Sequence, residues 1–308
     1  MLHPEPVEGS AGRKGERNLM DLKSFEYLIK NEQSVKRYLV KACWKHYVRF
    51  CIRCRAKKVY RIRRDRYRCG QCDYEFSDFT GRWLNRVKLP AKDWLWLIKL
   101  FELEISARKT SQQLGISYPT ALKAFHLIRQ SIAAHSRNGD FFLSGKIEAG
   151  QTYFNKGHPG GNSGETSQNR VPVFGILERK GRVTVEVLQD VSPEAVLNLT
   201  VKKVKTGSIV YTDKYRTFDA LMFCGYKHIQ VDRKRFSRDN VSINGLEGFW
   251  SFAKERIDKF HGVSKEKFPF YLKEMEFRYN HRQQPIFETL VQYICALREN
   301  MLNDEKQM

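Results

Sequence analysis

Two CxxC pairs, "CIRC" at residues 51–54 and "CGQC" at 69–72, have fourteen residues between them. Each pair lets two thiolates converge from one tight turn, and two such turns at this spacing make the four-cornered cage of a zinc ribbon. Cys51, Cys54, Cys69 and Cys72 are therefore the expected ligands of one structural Zn²⁺. With sulfur at every corner, no position stays open for catalysis. The alternatives are a disulfide pair, disfavoured in a cytosolic chain, and a redox dithiol, which needs only one CxxC. Cys43, Cys224 and Cys295 lie in apolar stretches and read as small buried residues.

The ribbon is embedded in positive charge. From residue 34 to 68 fourteen Lys and Arg stand against one acid, Asp65, a net +13 of the chain's +21. Interleaved with Trp44, Tyr60 and Tyr67, this density points to a nucleic-acid partner, with Lys57, Lys58, Arg63 and Arg64 as contacts to the phosphates of double-stranded DNA. A merely solvated basic face is the alternative. At 308 residues and 41% hydrophobic content the chain can bury at least one sizeable core. No apolar run reaches the roughly 18–20 residues that span a bilayer, and the first eighteen residues lack an apolar signal-peptide centre. A soluble cytoplasmic protein, associated with the bacterial nucleoid, is expected, with residues 1–20 as a disordered tail.

Beyond the ribbon, residues 91–103 read as a helix with a broad apolar face. A short helix then runs from about Arg108 to Leu114 and stops at Gly115, and Ser117 is placed to cap a second helix from about Pro119 to Ile132. Helix, glycine turn and helix outline a helix-turn-helix, whose second helix would offer Tyr118, Thr120, Lys123 and His126 to a DNA groove; other helical hairpins share that outline. From residue 145 the period changes. "KIEAGQTYF", "VPVFGIL" and "VTVEVLQD" read as a strand meander, interrupted by a Gly/Ser/Asn-rich loop at 157–169. A helix, the strand "GSIVYTD", a helix at "YRTFDALMFCG" and the strand "YKHIQV" follow, and then three helices at about 244–260, 266–281 and 285–302. The pattern is a mixed α/β sheet with helices on both faces.

Two places carry candidate chemistry. Asp213 closes the fourth strand, at the strand end where such sheets put functional groups, although a turn aspartate would look the same. Glu247, Trp250, Ser251 and Lys254 share one face of the helix that follows, so a carboxylate and an ammonium stand two turns apart, about 10 Å by helical rise. An ordinary amphipathic helix would also explain them.

Through "CIRC…CGQC", "VPVFGIL", "VYTDKYRTF", "GYKH", "NGLEGFW…AK" and "FRYNHR", residues 40 to 285 resemble the ISXO2-like family of bacterial insertion-sequence transposases. The resemblance implies an RNase-H-like (retroviral-integrase-like) mixed sheet flanked by helices, preceded by a zinc ribbon and a helix-turn-helix. It implies a chain divided into a tail (1–20), a basic zinc-ribbon domain (21–88), a helix-turn-helix region (89–140), a DDE catalytic domain (141–285) and a C-terminal helix and tail (286–308). It implies Asp213 and Glu247 as the second and third catalytic acids and as Mg²⁺ or Mn²⁺ ligands, Lys254 as a contact to the donor end, and a homo-oligomer working on terminal repeats and target DNA, with no membrane. Cutting a phosphodiester and joining the freed 3′-OH to a target are in-line displacements helped by two divalent ions between carboxylates.

The family's first motif reads glutamate, apolar residue, catalytic aspartate, glutamate. Here those positions hold Glu148, Ala149, Gly150 and Gln151. Gly150 offers no side-chain oxygen. Glu148 shares its strand face but lies about 7 Å of strand rise away, which makes it at most a partial substitute. Two readings stay open at this point: a transposase that cuts and joins element ends, or a catalytically silent DNA-binding relative that competes with or regulates active copies. A zinc-ribbon transcription factor would leave the motifs after residue 145 unexplained.

Overall fold

The computed structural model describes residues 20–137, 142–155, 170–188, 192–213, 224–231, 244–260 and 262–298. The expected disordered tail, the 157–169 loop and the helix at "YRTFDALMFCG" fall outside the described residues, except for the last two positions of that helix.

Two capped helices open the chain. The Asp21 carboxylate accepts from Ser24 N at 2.7 Å and starts α1 (Leu22–Ile29), and the Asn31 side-chain oxygen accepts from Gln33 N at 2.8 Å and starts α2 (Glu32–Cys43). Neither helix was expected from the sequence, where the basic residues of α2 draw the eye away from its buried Val35, Leu39 and Val40. The zinc ribbon follows as a three-stranded antiparallel sheet in the order β1 (Val59–Arg63), β2 (Arg66–Cys69), β3 (Glu75–Ser77).

Next come α3 (Ala91–Glu102), α4 (Ala107–Leu114) and α5 (Tyr118–Arg137). Ser106 caps α4, Gly115 ends it at φ 63° in the left-handed region, and the Ser117 hydroxyl accepts from Thr120 N to open α5. The helix-turn-helix is present, but α5 runs five residues further than the sequence pattern suggested. Its second half packs on two later helices, α8 (Phe268–Asn280) and α9 (Phe287–Cys295).

The main sheet has five strands in the order β6-β5-β4-β7-β8: β4 (Lys146–Asn155), β5 (Arg170–Glu178), β6 (Val183–Val187), β7 (Ile209–Asp213) and β8 (Lys227–Val231). The first three pair antiparallel, as the meander required, and β7 and β8 add in parallel. This is the expected RNase-H-like sheet. Helix α6 (Pro193–Lys203) covers the face of Ile147, Ala149 and Val210, while α7 (Asn244–Asp258) and α8 cover the face of Phe154, Tyr211 and Val173.

The edge strand β6 does not present a bare hydrogen-bonding edge. Asn280 both accepts from Val183 N and donates to Val183 O at 2.8 Å, and Glu276 accepts from Val185 N at 2.9 Å, so α8 blocks further strand pairing there. The last helix, expected to reach 302, ends at Cys295. Phe287, Leu290, Val291 and Ile294 bury themselves with Phe25, Leu39, Trp94 and Phe125, so α9 completes the N-terminal core.

Candidate functional site

The two cysteine knuckles repeat one backbone design. Cys51 N donates to Ala56 O and Cys69 N to Tyr74 O, while Arg55 N and Asp73 N donate back to Cys51 O and Cys69 O. Arg55 and Asp73 take the same left-handed conformation, φ 66° and 54°. These turns bring all four sulfurs within 4.8 Å of one another, with Cys51–Cys72 at 3.6 Å and Cys54–Cys69 at 3.5 Å. Four sulfurs about 2.3 Å from one centre stand about 3.8 Å apart, so the cage fits a tetrahedral Zn²⁺. Burial pushes the Cys69 thiol up, but the N–H groups of Gln71 and Cys72 outweigh it and hold the thiol at about 7, close to the thiolate a metal takes. Cys43 and Cys295 are buried elsewhere, as their apolar settings suggested, whereas Cys224, expected to be buried too, is half-buried at the margin of the core around Ile147 and Val210.

Lys57, Lys58, Arg63 and Arg64 are all exposed, along with Tyr60, Arg61 and Ile62 between them. The one acid of this hairpin, Asp65, is already paired with Lys36, and Glu75 on the neighbouring β3 is paired with Arg68 at 2.6 Å. The hairpin therefore keeps its positive surface. On α5, Lys123 is exposed and Tyr118 is 45% exposed. Thr120 is half-buried with its hydroxyl 2.8 Å from the Ser117 hydroxyl, which ties it to the helix cap. His126 is turned inward, its ring edge against Phe270 at 5.2 Å.

Strand register decides how the candidate acid positions lie relative to one another. Parallel β4 and β7 set Glu148 beside Tyr211 and Ala149 beside Thr212, so one step further position 150 lies beside position 213. Alternation puts 148, 150 and 154 with 211 and 213 on the face packed by α7. The side chain of Asp213 lies outside the described part of the structure. Gly150 pairs with Gly175 across β5, and the first turn of α7 sits over both. A Cβ on Gly175 would come 2.6 Å from the Trp250 ring, whereas a Cβ on Gly150 would meet, among the described residues, only Leu246 Cδ2, at 3.3 Å. Glu247 is the next residue on that turn and is exposed. Lys254 is half-buried two turns later, its Nζ 5.8 Å from the Phe154 ring centre.

Glu148 is engaged elsewhere. It is 3% exposed, and its two oxygens accept from Arg179 Nε at 3.0 Å and from Leu246 N at 2.9 Å. Arg179 in turn lies 4.1 Å over the Tyr211 ring. Glu148 thus clamps the start of α7 onto β4. Arg179 went unnoticed in the sequence, where the only sign of it is one Arg at the end of a β-rich run. Gln151 alternates to the opposite sheet face, with Ile147 and Ala149. With both oxygens of Glu148 committed to Arg179 and Leu246, positions 213 and 247 are, among the described residues, the carboxylate positions left on the α7 side, one short of the three that hold a pair of ions, so this donor set does not fit a complete two-ion centre.

Zinc ribbon, helix-turn-helix and RNase-H-like sheet, in this order along one chain, make up the architecture of an insertion-sequence transposase. Residues 142–280 match the ISXO2-like transposase domain and residues 30–75 the transposase zinc-ribbon domain. An uncharacterized transposase-like protein of Haemophilus influenzae is 37% identical over 105 residues, covering 34% of this chain and 85% of that protein. An uncharacterized protein in transposable element ISH50 of Halobacterium salinarum is 24% identical over 297 residues, 88% of this chain and 97% of that one. Among solved structures, the Mos1 strand transfer complex matches 69% of this chain and 77% of its own at 11% identity, with a TM-score of 0.29. The chain belongs to the ISXO2-like transposase family.

Proposed function

We propose that this transposase binds the ends of its element as double-stranded DNA, as a homo-oligomer, and that its cutting centre is impaired because the first acid is missing. The observation that supports this reading is the β4–β7 register, whose last pair, Ala149 with Thr212, directly precedes Gly150 and Asp213, together with the approach of Leu246, the residue before Glu247, to Gly150. In the reading, Asp213 and Glu247 remain as the second and third acids and Lys254 meets the donor end. Glu148 acts as a structural clamp rather than a stand-in ligand, since both its oxygens are occupied. The basic hairpin with Lys57, Lys58, Arg63 and Arg64 holds phosphates, and α5 approaches the duplex with Thr120 and Lys123. The Zn²⁺ in the four-cysteine cage keeps the ribbon folded. Among the described residues no helix is long and apolar enough to cross a membrane.

Binding and cutting separate the two halves of the proposal. Purified protein titrated with labelled element-end duplex should shift it, and in Mg²⁺ or Mn²⁺ should leave the strands intact or nick them only slowly. Efficient nicking by the unmodified chain would defeat the impaired-centre reading, and failure to shift any duplex would defeat the binding reading.

A further inference from the structure

A groove of about 460 Å³ opens along α5 beside the site already described. Lys123, His126 and Gln130, at i, i+3 and i+7, present one helix face to it. Opposite them stand Trp83 and Arg86, from the 3-10 turn between ribbon and helix-turn-helix, and Arg298, beyond α9. Among the described residues three cationic side chains line the groove and no carboxylate does. In this it differs from the groove between Phe101 and Arg278, which Glu104 and Glu274 line, and from the one at His135 and Tyr293, which holds Glu276. Low walls with charge of one sign concentrate the field and draw in anions.

Two further features narrow the ligand. Trp83 is half-buried and keeps part of its indole at the groove wall. The Nδ1 of His126 is buried and has no hydrogen-bond partner, a group that a ligand's base edge can satisfy. Burial, with Lys267 and Arg129 near, holds this imidazole below its ordinary pKa and so neutral, with one nitrogen left to accept. The volume lies within the about 300–1,000 Å³ of small-ligand sites, room for a nucleotide and far too little for a duplex.

We propose that this groove binds an unpaired nucleotide at the DNA end, its phosphate held by Arg86, Lys123 and Arg298, its base packed on Trp83 and met by Gln130 and His126. Aromatic stacking combined with a cationic track is the general chemistry of single-strand binding. The first turn of α5, with Tyr118 and Thr120, meets the duplex, and the next turns receive the strand that leaves it. The proposal rests on the reading that the chain binds DNA ends.

The test is a fluorescence-anisotropy titration of the full-length protein with a labelled blunt duplex and with the same duplex carrying mismatched pairs at one end. The wild type should bind the unpaired end about tenfold more tightly, the effect of one stacked base. Arg86→Ala combined with Gln130→Ala should erase that preference and change blunt-duplex binding less than about twofold. Equal affinity of the wild type for both DNAs would overturn the proposal while leaving duplex binding standing. Equal weakening of both DNAs in the double variant would also overturn it, because the groove would then be part of the duplex surface. Binding of neither DNA by the wild type would sink the DNA-end reading and this proposal with it.

Discussion

Removing the carboxylate of Glu148 leaves the Arg179 guanidinium and the Leu246 N–H without their shared acceptor in a nearly closed site. Breaking a buried ion pair from one side costs about 3–5 kcal/mol, and Arg179, 23% exposed, recovers part of that from water. We therefore expect Glu148→Ala to lower stability by roughly 3 kcal/mol in urea unfolding, and Glu148→Gln, which keeps an oxygen for Leu246 N, by roughly half as much. Equal losses in the two variants would mean that the helix contact contributes nothing. The gap at Gly150 was legible in the sequence only through the family resemblance, whose first motif has an aspartate where "EAGQ" has its glycine. The occupation of Glu148 was not legible, since its partner Arg179 lies thirty-one residues away, across a strand and a loop.

At the scale of elements, α5 and α8 are joined by charge where the sequence suggests solvent. Arg129 reaches Glu274 at 2.6 Å, Glu274 is held again by Arg278 at 2.8 Å, and Ser136 donates to Glu276 at 2.6 Å. Charges repeated along a helix normally mark a wet face, so the sequence, whose pattern carries α5 only to about Ile132, gave no hint that its last turns dock on α8. Burial pushes the Glu274 carboxyl up, but Arg129 and Arg278 outweigh it and hold its pKa below the ordinary 4.5. A carboxylate lowered by folding stabilises fully above its unfolded pKa and loses that stabilisation as pH falls through its folded value. The stability gap between wild type and Glu274→Gln should therefore be constant at neutral pH and shrink below about 4.5. Urea midpoints across that range check it, and a gap that widens on acidification would contradict the ionised assignment.

At the scale of the whole molecule, positive charge gathers on the ribbon and hairpin while the sheet is reached through α5. The ribbon, the helix-turn-helix outline and the strands themselves were legible because cysteine spacing, the Gly115 stop and period-two runs are local signals. The closure of the N-terminal core by α9 was not, because it depends on contacts between Phe25 and Phe287, which meet at 5.6 Å from opposite ends of the chain. If the hairpin is the main phosphate-binding surface, the logarithm of affinity for duplex DNA should fall linearly with that of salt. Changing Lys57, Lys58, Arg63 and Arg64 together to Ala should flatten the line by about 0.9 for each phosphate that the variant no longer neutralises. An unchanged slope in that variant would move the DNA to another face.

The impaired centre is tested most directly by putting the acid back. Among the described residues a Cβ at position 150 meets only the end of the Leu246 side chain, at 3.3 Å, and Gly150→Asp asks of it a shift of a few tenths of an ångström in one methyl group. Gln151→Glu, on the opposite sheet face, should add nothing. The measurement is the rate at which element-end duplex is nicked in Mg²⁺ or Mn²⁺. We expect Gly150→Asp to raise it about a hundredfold or more over the unmodified chain, with the gain abolished by Asp213→Asn or Glu247→Gln and with DNA affinity little changed. Fast nicking by the unmodified chain, or a Gly150→Asp gain that survives loss of Asp213 and Glu247, would contradict the assignment of the site.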